Sequence, residues 1–600
     1  MFRLSLLGAA LWLGMAATVI ASATMVTARA GFAQQGPIRL FPQPDPPSMP
    51  APDLTPDQER ALPPRERAGS PAPPPGATPE FVVEGLAAPE VDAIGLAESG
   101  GGFDRAPWQG SDPEVMYALL SDLPVVTDVP PLRRLARRLL VTGSPVAGGA
   151  GRLLGARLAR LIAMGDLDAA KILVDQLPPI ATDSELARRA AEVALLLGDQ
   201  EAACRLADAV GLTTGAEFWA KVGAYCRLAA GDADGARLGL DLLREARQTA
   251  DAAFFELATA IADEAQPPPL QSLARPSAIH VALLALAEWP LPPEALAGAS
   301  PPILAAVARE PALAGGRQLA ATEQAFLVGA AAADRLAALY SERAGADTTD
   351  VMWQIQSNWN PTTRAMAYNA VRDERDPLAR AELLDAAWRA AGGAERFLVA
   401  EVFAMPFSEL PPDGGLAGMA PSVARALLAA DLLVPAGRWF SVLTAAARQD
   451  PRLQGAAATL APLLALAGIG GSDAVPRLDA SAVDARMPTD PDDGVPAERM
   501  LALLEGVGAP IEAEAWGRLL PAHAERQASA PASALWRGLE RAAADRRVGD
   551  TVLYALTMLE GRPQAVHPEV LVACLRALRQ VGLDQDARAI AAATAVIDGY

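Results

Sequence analysis

Side chains able to do acid–base, nucleophilic or metal chemistry are sparse in this chain. Histidine occurs three times, at His280, His523 and His567, and cysteine three times, at Cys204, Cys226 and Cys574. The histidines are far apart, none sits in a two-histidine helical motif, and none stands at zinc-finger spacing, so each reads as a surface or partly buried side chain. Lysine occurs only at Lys171 and Lys221, and neither follows a glycine, which excludes a Walker A phosphate loop. Gly149-Ala150-Gly151 with Gly155 is a loose glycine-rich match, but a helix rather than a strand precedes it, so it reads as an inter-helix turn. Asp490, Asp492 and Asp493 stand before Gly494 as if to hold calcium. For an EF-hand loop that glycine comes one position early, and Leu501 stands where the closing glutamate belongs. A Gly-x-Ser-x-Gly elbow is absent. The inventory predicts neither a metal nor a cofactor.

One carboxylate keeps an enzymatic alternative open. Glu98-Ser99, with Phe103 close behind, resembles the catalytic Glu-Ser pair of lytic transglycosylases, which combine it with an α-helical superstructure. The resemblance implies a cell-wall enzyme that cleaves glycosidic bonds with Glu98 as general acid, a role that needs burial to raise its pKa. This chain departs from the pattern, because three glycines intervene before Phe103 and no Gly-Leu-Met-Gln segment follows. A glycine-rich stretch poor in apolar residues does not desolvate a carboxylate.

Composition predicts the frame that would position any site. Hydrophobic residues make up 51% of the 600, enough for extensive burial, while aromatics are only 5%. Alanine is about a fifth of the chain, well above its usual share. It has the best helix propensity, and its small side chain lets helix axes approach closely. No sustained apolar/polar alternation marks strands, so the body is expected to be all-α. At 600 residues it should form several domains or one elongated array. The net charge of −20, with arginine dispersed beside Glu and Asp as at Glu185, Arg188 and Arg189, makes a phosphate backbone and an anionic membrane surface poor partner candidates.

The N-terminus predicts export. Met1–Arg3 give a short positive end and Leu4–Val26 carry no charge. Small-residue sites follow at Ala21-Ser22-Ala23, Ala28-Arg29-Ala30 and Gly31-Phe32-Ala33. Residues 1–33 therefore read as a signal peptide or as a retained inner-membrane anchor, the apolar run being long enough for either. Both readings place the rest in the periplasm or otherwise outside the cytoplasm. Residues 34–80 carry prolines throughout, from Pro37 to Pro79, and read as a disordered linker that would reach on the order of 100 Å as polyproline II.

The clearest internal pattern lies at 150–250. Three segments, GDLDAAKILVDQL, GDQEAACRLADAV and GDADGARLGLDLL, start at Gly165, Gly198 and Gly231, 33 residues apart. Each Gly-Asp follows a helical apolar pattern and precedes an alanine by the same interval: Ala170, Ala203 and Ala236. The unit reads as helix, tight turn, helix, with Gly ending the first helix in the left-handed region and Asp capping the second. A 33-residue period means stacked hairpins. The turn glycine and the following alanine resemble the tetratricopeptide repeat (TPR) family. The family's first-helix Trp and Tyr are absent, and Arg227 stands where the family places a core residue. The resemblance implies a TPR-like α-solenoid that binds a protein or peptide on the face of its first helices. Carried over by position, that face holds Arg152, Glu185, Arg188, Glu192, Phe218, Lys221 and Tyr225.

The chain divides on this reading into 81–110, an irregular acidic, Gly-rich cap; 111–265, TPR-like repeats; 266–467, continuation of the array; 468–495, a Gly/Asp/Pro-rich linker; and 496–600, C-terminal hairpins. Predicted helices include Pro301–Arg309, Gln318–Tyr340, Pro377–Ala391, Pro568–Gln580 and Asp584–Ile597. Cys204 and Cys226 fall on neighbouring helices, and the sequence leaves both a disulfide and two free thiols open. Asn358, Asn360 and Asn369, amid Met352, Trp353, Trp359 and Tyr368, read either as a ligand groove or as a packed junction with Asn360 as N-cap. The expected function is that of a non-enzymatic exported scaffold or adaptor. The alternatives are the transglycosylase-type enzyme and a passive envelope component.

Overall fold

A computed structural model describes residues 90–600 except 105, 145–150, 179–183, 211–216, 246–249, 271–272, 344–350, 470–494, 512 and 520–530. The predicted N-terminal signal or anchor, the Pro-rich linker, Gly149-Ala150, the aspartates at 490–493 and His523 lie outside the described residues. The described part belongs to one unit, Leu86–Tyr600, and holds 29 α-helices and no strand. Among the described residues no helix is long and apolar enough to cross a membrane.

The three Gly-Asp turns share one geometry. Gly165, Gly198 and Gly231 have φ of 80°, 71° and 76°, a region that suits glycine. The amides of Asp166, Asp199 and Asp232 donate back to the carbonyls of Leu161, Ala194 and Arg227 at 2.8–3.1 Å, closing a Schellman end on each first helix. Each aspartate carboxylate then accepts from the backbone N–H three residues on, Ala169, Ala202 or Gly235, at 2.9–3.0 Å. Ala170, Ala203 and Ala236 are completely buried where the two helices of each hairpin meet. The hairpins are Arg152–Met164 with Leu167–Val174, Ser184–Leu196 with Gln200–Val210, and Glu217–Ala229 with Ala233–Glu245.

Helix Ala278–Leu286 is apolar on nearly every face, and Ala278 through Leu284 are all buried, as expected of a helix enclosed by others. It packs against the first helices Ser184–Leu196 and Glu217–Ala229, while Pro301–Arg309 packs against Arg152–Met164 and Ser184–Leu196. The hairpins thus stack on one another and are also covered by helices from later in the chain.

The predicted helix Gln318–Tyr340 is instead two helices, Gln318–Leu327 and Ala333–Glu342, separated by Gly329 at φ 81°. Gly329 ends the first of them as the turn glycines do, its amide donating to the Phe326 carbonyl at 2.8 Å and the Ala330 amide to the Ala325 carbonyl at 2.7 Å, and it is packed against by Arg133, from a distant segment. Its guanidinium donates to the Leu327 carbonyl at 2.8 Å, and its side chain occupies the space a Cβ on residue 329 would need.

The last helices pack against the first. Pro130–Val141, whose Leu135, Leu139 and Leu140 are fully buried, lies against both Val548–Leu559 and Asp584–Ile597. Arg138 donates two hydrogen bonds of 2.8 Å to Asp586, 448 positions away. The Thr127 hydroxyl donates to the Gly561 carbonyl, and the Gly549 amide donates to the Pro107 carbonyl at 2.9 Å. Nearest-neighbour stacking, which alone would hold an open array of repeats together, is therefore supplemented by contacts between the two ends of the described helical part.

Candidate functional site

Arg152, Glu185 and Phe218 occupy equivalent positions in three successive first helices, 33 residues apart. All three sit in the opening turn of their helix. Arg152 and Glu185 are exposed and Phe218 is half-buried. The Arg152 guanidinium lies 3.8 Å from the Tyr117 ring centroid and pairs with Glu114 at 3.1 Å. Arg188, also exposed, lies over the Phe218 ring at 5.4 Å and pairs with Glu185 at 3.6 Å. Glu192 is half-buried and pairs with Arg189 at 3.1 Å.

Lys221 and Tyr225, one and two turns further along, are buried. Their helix is the one covered by Ala278–Leu286. Lys221 Nζ binds Glu217 at 2.6 Å and Asp251 at 2.8 Å, and it stands 5.4 Å from the Phe254 ring centroid. Burial raises the Tyr225 phenol above its ordinary value. The predicted face is thus split, with one edge exposed at Arg152, Glu185 and Arg188 beside the half-buried Phe218, and the interior taken up by the chain's own helix.

That interior holds a polar line that sequence reasoning did not assemble. Ser277 caps Ala278–Leu286, its amide donating to His280 Nδ1 at 3.1 Å, with its hydroxyl 3.0 Å from the same nitrogen. The other ring nitrogen, Nε2, lies 3.1 Å from Asp251 Oδ1, which requires that Nδ1 accept and Nε2 carry the proton. Burial pushes the Asp251 carboxyl up, but hydrogen bonds from His280 and Lys221 outweigh it and hold the group well below the usual carboxylate range. Asp251 also caps its own helix, accepting from Phe254 N–H at 3.2 Å. Serine, histidine and aspartate in line invite comparison with a nucleophile triad. Here the imidazole nitrogen nearest the hydroxyl already accepts the Ser277 amide, so the arrangement is a capping box anchored by the partly buried Lys221–Asp251 ion pair. The only sequence signal was Ser277 three residues before His280 at a helix start.

A second cluster joins the buried Glu323, Tyr340 and Arg364 to the half-buried Glu395. Arg364 holds Glu323 with two hydrogen bonds of 3.1 and 2.7 Å and reaches Glu395 at 3.1 Å, and the Tyr340 hydroxyl donates to Glu323. Burial, reinforced by Glu323, pushes the Tyr340 phenol far above its ordinary value. The neighbouring asparagines serve the junction: Asn360 caps Pro361–Asp373 through Thr363 N–H at 3.1 Å, and Asn369 donates to the Tyr340 carbonyl at 2.8 Å.

A cavity of about 680 Å³ opens where the first, middle and last helices meet. Arg134, Arg138 and Arg588 line it with Asp431 and Asp586 above a floor of small apolar residues. Arg138 is already paired with Asp586 at 2.8 Å, Arg134 with Asp431 at 3.3 Å and Arg588 with Asp584 at 2.7 Å, so the guanidiniums serve the packing of the helices around it.

Glu98 stands exposed on the three-residue 3-10 turn Glu98–Gly100, while Phe103 is buried beneath the Arg138 guanidinium, 4.5 Å from its ring centroid. His567 caps Pro568–Gln580 through Glu569 N–H at 3.2 Å. Asp92, at the start of the irregular segment, is buried and accepts from Gly151 N–H at 3.1 Å and Leu154 N–H at 2.8 Å, so Gly151 belongs to a helix start capped from a distance. Cys204 and Cys226 form a disulfide with Cα atoms 5.7 Å apart, tying Gln200–Val210 to Glu217–Ala229. Cys574 is a buried free thiol. Compared with protein-family models, with curated proteins and with solved structures, the chain finds no match.

Proposed function

We propose that the chain is an exported, non-enzymatic helical scaffold that docks a protein partner in the cell envelope, with 152–245 acting as TPR-like hairpins. The observation that carries this reading is the edge formed by Arg152, Glu185 and Phe218, at one position of consecutive hairpins, with Arg188 beside them; its charged members are exposed and Phe218 is half-buried, while Ala278–Leu286 packs over the rest of that face. A rigid rack presenting charge and an aromatic ring at fixed spacing suits recognition of an extended partner. The Cys204–Cys226 disulfide supports export, since such bridges persist in oxidising compartments. The transglycosylase reading asks Glu98 to be a desolvated acid, and its exposure on a short turn speaks against that role.

The test is affinity capture with cross-linking of the full chain from its own cells, run beside a variant carrying Arg152→Glu and Arg188→Glu. The reading expects one partner recovered repeatedly with the wild-type chain and depleted with the variant. Failure to recover any reproducible partner with the wild-type chain overturns it. Export is tested with a reporter fused after Tyr600 that is active only outside the cytoplasm.

A further inference from the structure

Ten large apolar side chains stand exposed among the described residues, and three of them, Met352, Trp353 and Leu378, lie on two helices that pack on each other, with Met405 on a third helix tied to the second by an ion pair. Met352 and Trp353 lie on helix Val351–Ser357, Leu378 on Pro377–Ala390 and Met405 on Ala404–Glu409, with Trp353 61% and Met405 70% exposed. The first two helices pack on each other, and Arg380 ties the second to the third through Glu409 at 3.4 Å. Between the first two helices opens a cleft of about 370 Å³, lined by Met352, Gln356, Glu382, Asp385, Ala386 and Arg389. Clustered exposed apolar groups rimmed by charge mark docking surfaces, and Met and Trp are side chains such surfaces favour.

The charges around the patch narrow what can cover it. Arg389 pairs with Asp385 at 3.0 Å and Arg380 with Glu409, so both arginines are spoken for. Glu382 lies in the cleft one helical turn beyond Leu378, is exposed, and has no ion pair or side-chain hydrogen bond among the described residues. A neutral or acidic partner closing over the cleft would strip water from this carboxylate and give nothing back. A second copy of the chain would bring its own identical acid to a symmetric contact and a net charge of −20.

We propose that this patch docks an amphipathic segment of a partner protein that lays apolar side chains over Met352, Trp353 and Leu378 and sets a lysine or arginine against Glu382. The proposal rests on the scaffold reading and adds to it a second surface and the chemistry of what binds there.

The probe is a fluorescein-labelled amphipathic Leu/Lys peptide of about 18 residues, long enough to turn helical on binding. It is titrated into the full chain at about 0.15 M salt beside a scrambled peptide of the same composition. Fluorescence anisotropy is read for the wild type, Glu382→Lys, Met352→Asp and the charge control Glu294→Lys, an exposed acid on helix Pro293–Ala297. The amphipathic peptide should bind the wild type more tightly than the scrambled one. Glu382→Lys and Met352→Asp should each weaken binding about tenfold, and Glu294→Lys less than about twofold. Equal losses from Glu382→Lys and Glu294→Lys would mean only general attraction to an acidic chain and would overturn the proposal, as would equal affinity for the two peptides. In cells, a Met352→Asp chain that still captures the wild-type partner in full overturns the patch and leaves the scaffold standing. A wild-type chain with no reproducible partner removes both.

Discussion

Glu323 and Arg364 are both buried and hold each other through two hydrogen bonds. Removing one partner of such a pair leaves an uncompensated charge, which costs about 3–5 kcal/mol, whereas replacing both with apolar residues of similar size is far milder. In urea denaturation, Arg364→Met should therefore lose several times more stability than the double variant Glu323→Met/Arg364→Met. Asp598 behaves in the opposite sense from Asp251. Its carboxyl, buried against Arg499 at 3.0 Å, is pushed up by burial to about 6, and Arg499 only partly offsets the rise. The folded chain thus holds a proton at pH 5 that the unfolded chain, titrating near the ordinary value of 3.8, has mostly released. Stability should rise as pH falls from 7 toward 5 through this group, and Asp598→Asn should flatten that part of the profile. A denaturation midpoint with the same slope over that window in both proteins would contradict the assignment.

At the scale of elements, the turn glycines differ in what surrounds them. A Cβ at Gly198 meets nothing within 4 Å, so Gly198→Ala should cost only the left-handed backbone conformation, about 1 kcal/mol. A Cβ at Gly165 would lie 2.7 Å from the Ala330 Cβ and 2.9 Å from the Pro301 carbonyl, so Gly165→Ala should cost clearly more in the same thermal melt. The disulfide joins positions 22 apart, and by chain entropy its loss should remove roughly 3 kcal/mol. Thiol titration should find none reactive in the native chain, because burial pushes the Cys574 thiol up to about 12, then one after unfolding and three after reduction as well. These local features were legible in the sequence because they depend on a few adjacent residues: the Gly-Asp turns, the buried alanines, the Asn360 cap, and the bounds of Pro301–Arg309 and Asp584–Ile597. Glu395–Val402 was not legible, and the break at Gly329 was missed although its glycine is the same kind of stop as at the Gly-Asp turns. What no local pattern encodes is the Arg133 bond to the Leu327 carbonyl, 194 positions away. The same limit applied to the candidate face, since nothing near Lys221 or Tyr225 announces that Ala278–Leu286 will lie across them.

For the molecule as a whole, contact between early and late helices makes distant parts depend on one another. A chain ending at Asp545 would lack the surfaces that cover Leu135, Leu139 and Leu140 on Pro130–Val141. Hydrogen exchange should then show that helix losing protection while Arg152–Met164 keeps most of its own. Equal protection of Pro130–Val141 in both chains would show that the contact carries no stability. The arrangement also sets an order of events during synthesis. Pro130–Val141 leaves the ribosome, and on the proposed route the translocation channel, hundreds of residues before Asp586 does, and until then its leucines have no final neighbour. A half-emerged chain therefore carries a sticky stripe for the tens of seconds that production of the remainder takes at about 5–20 residues per second. A holdase that shields nascent apolar segments would be needed most during that interval, and least once Arg138 has met its carboxylate.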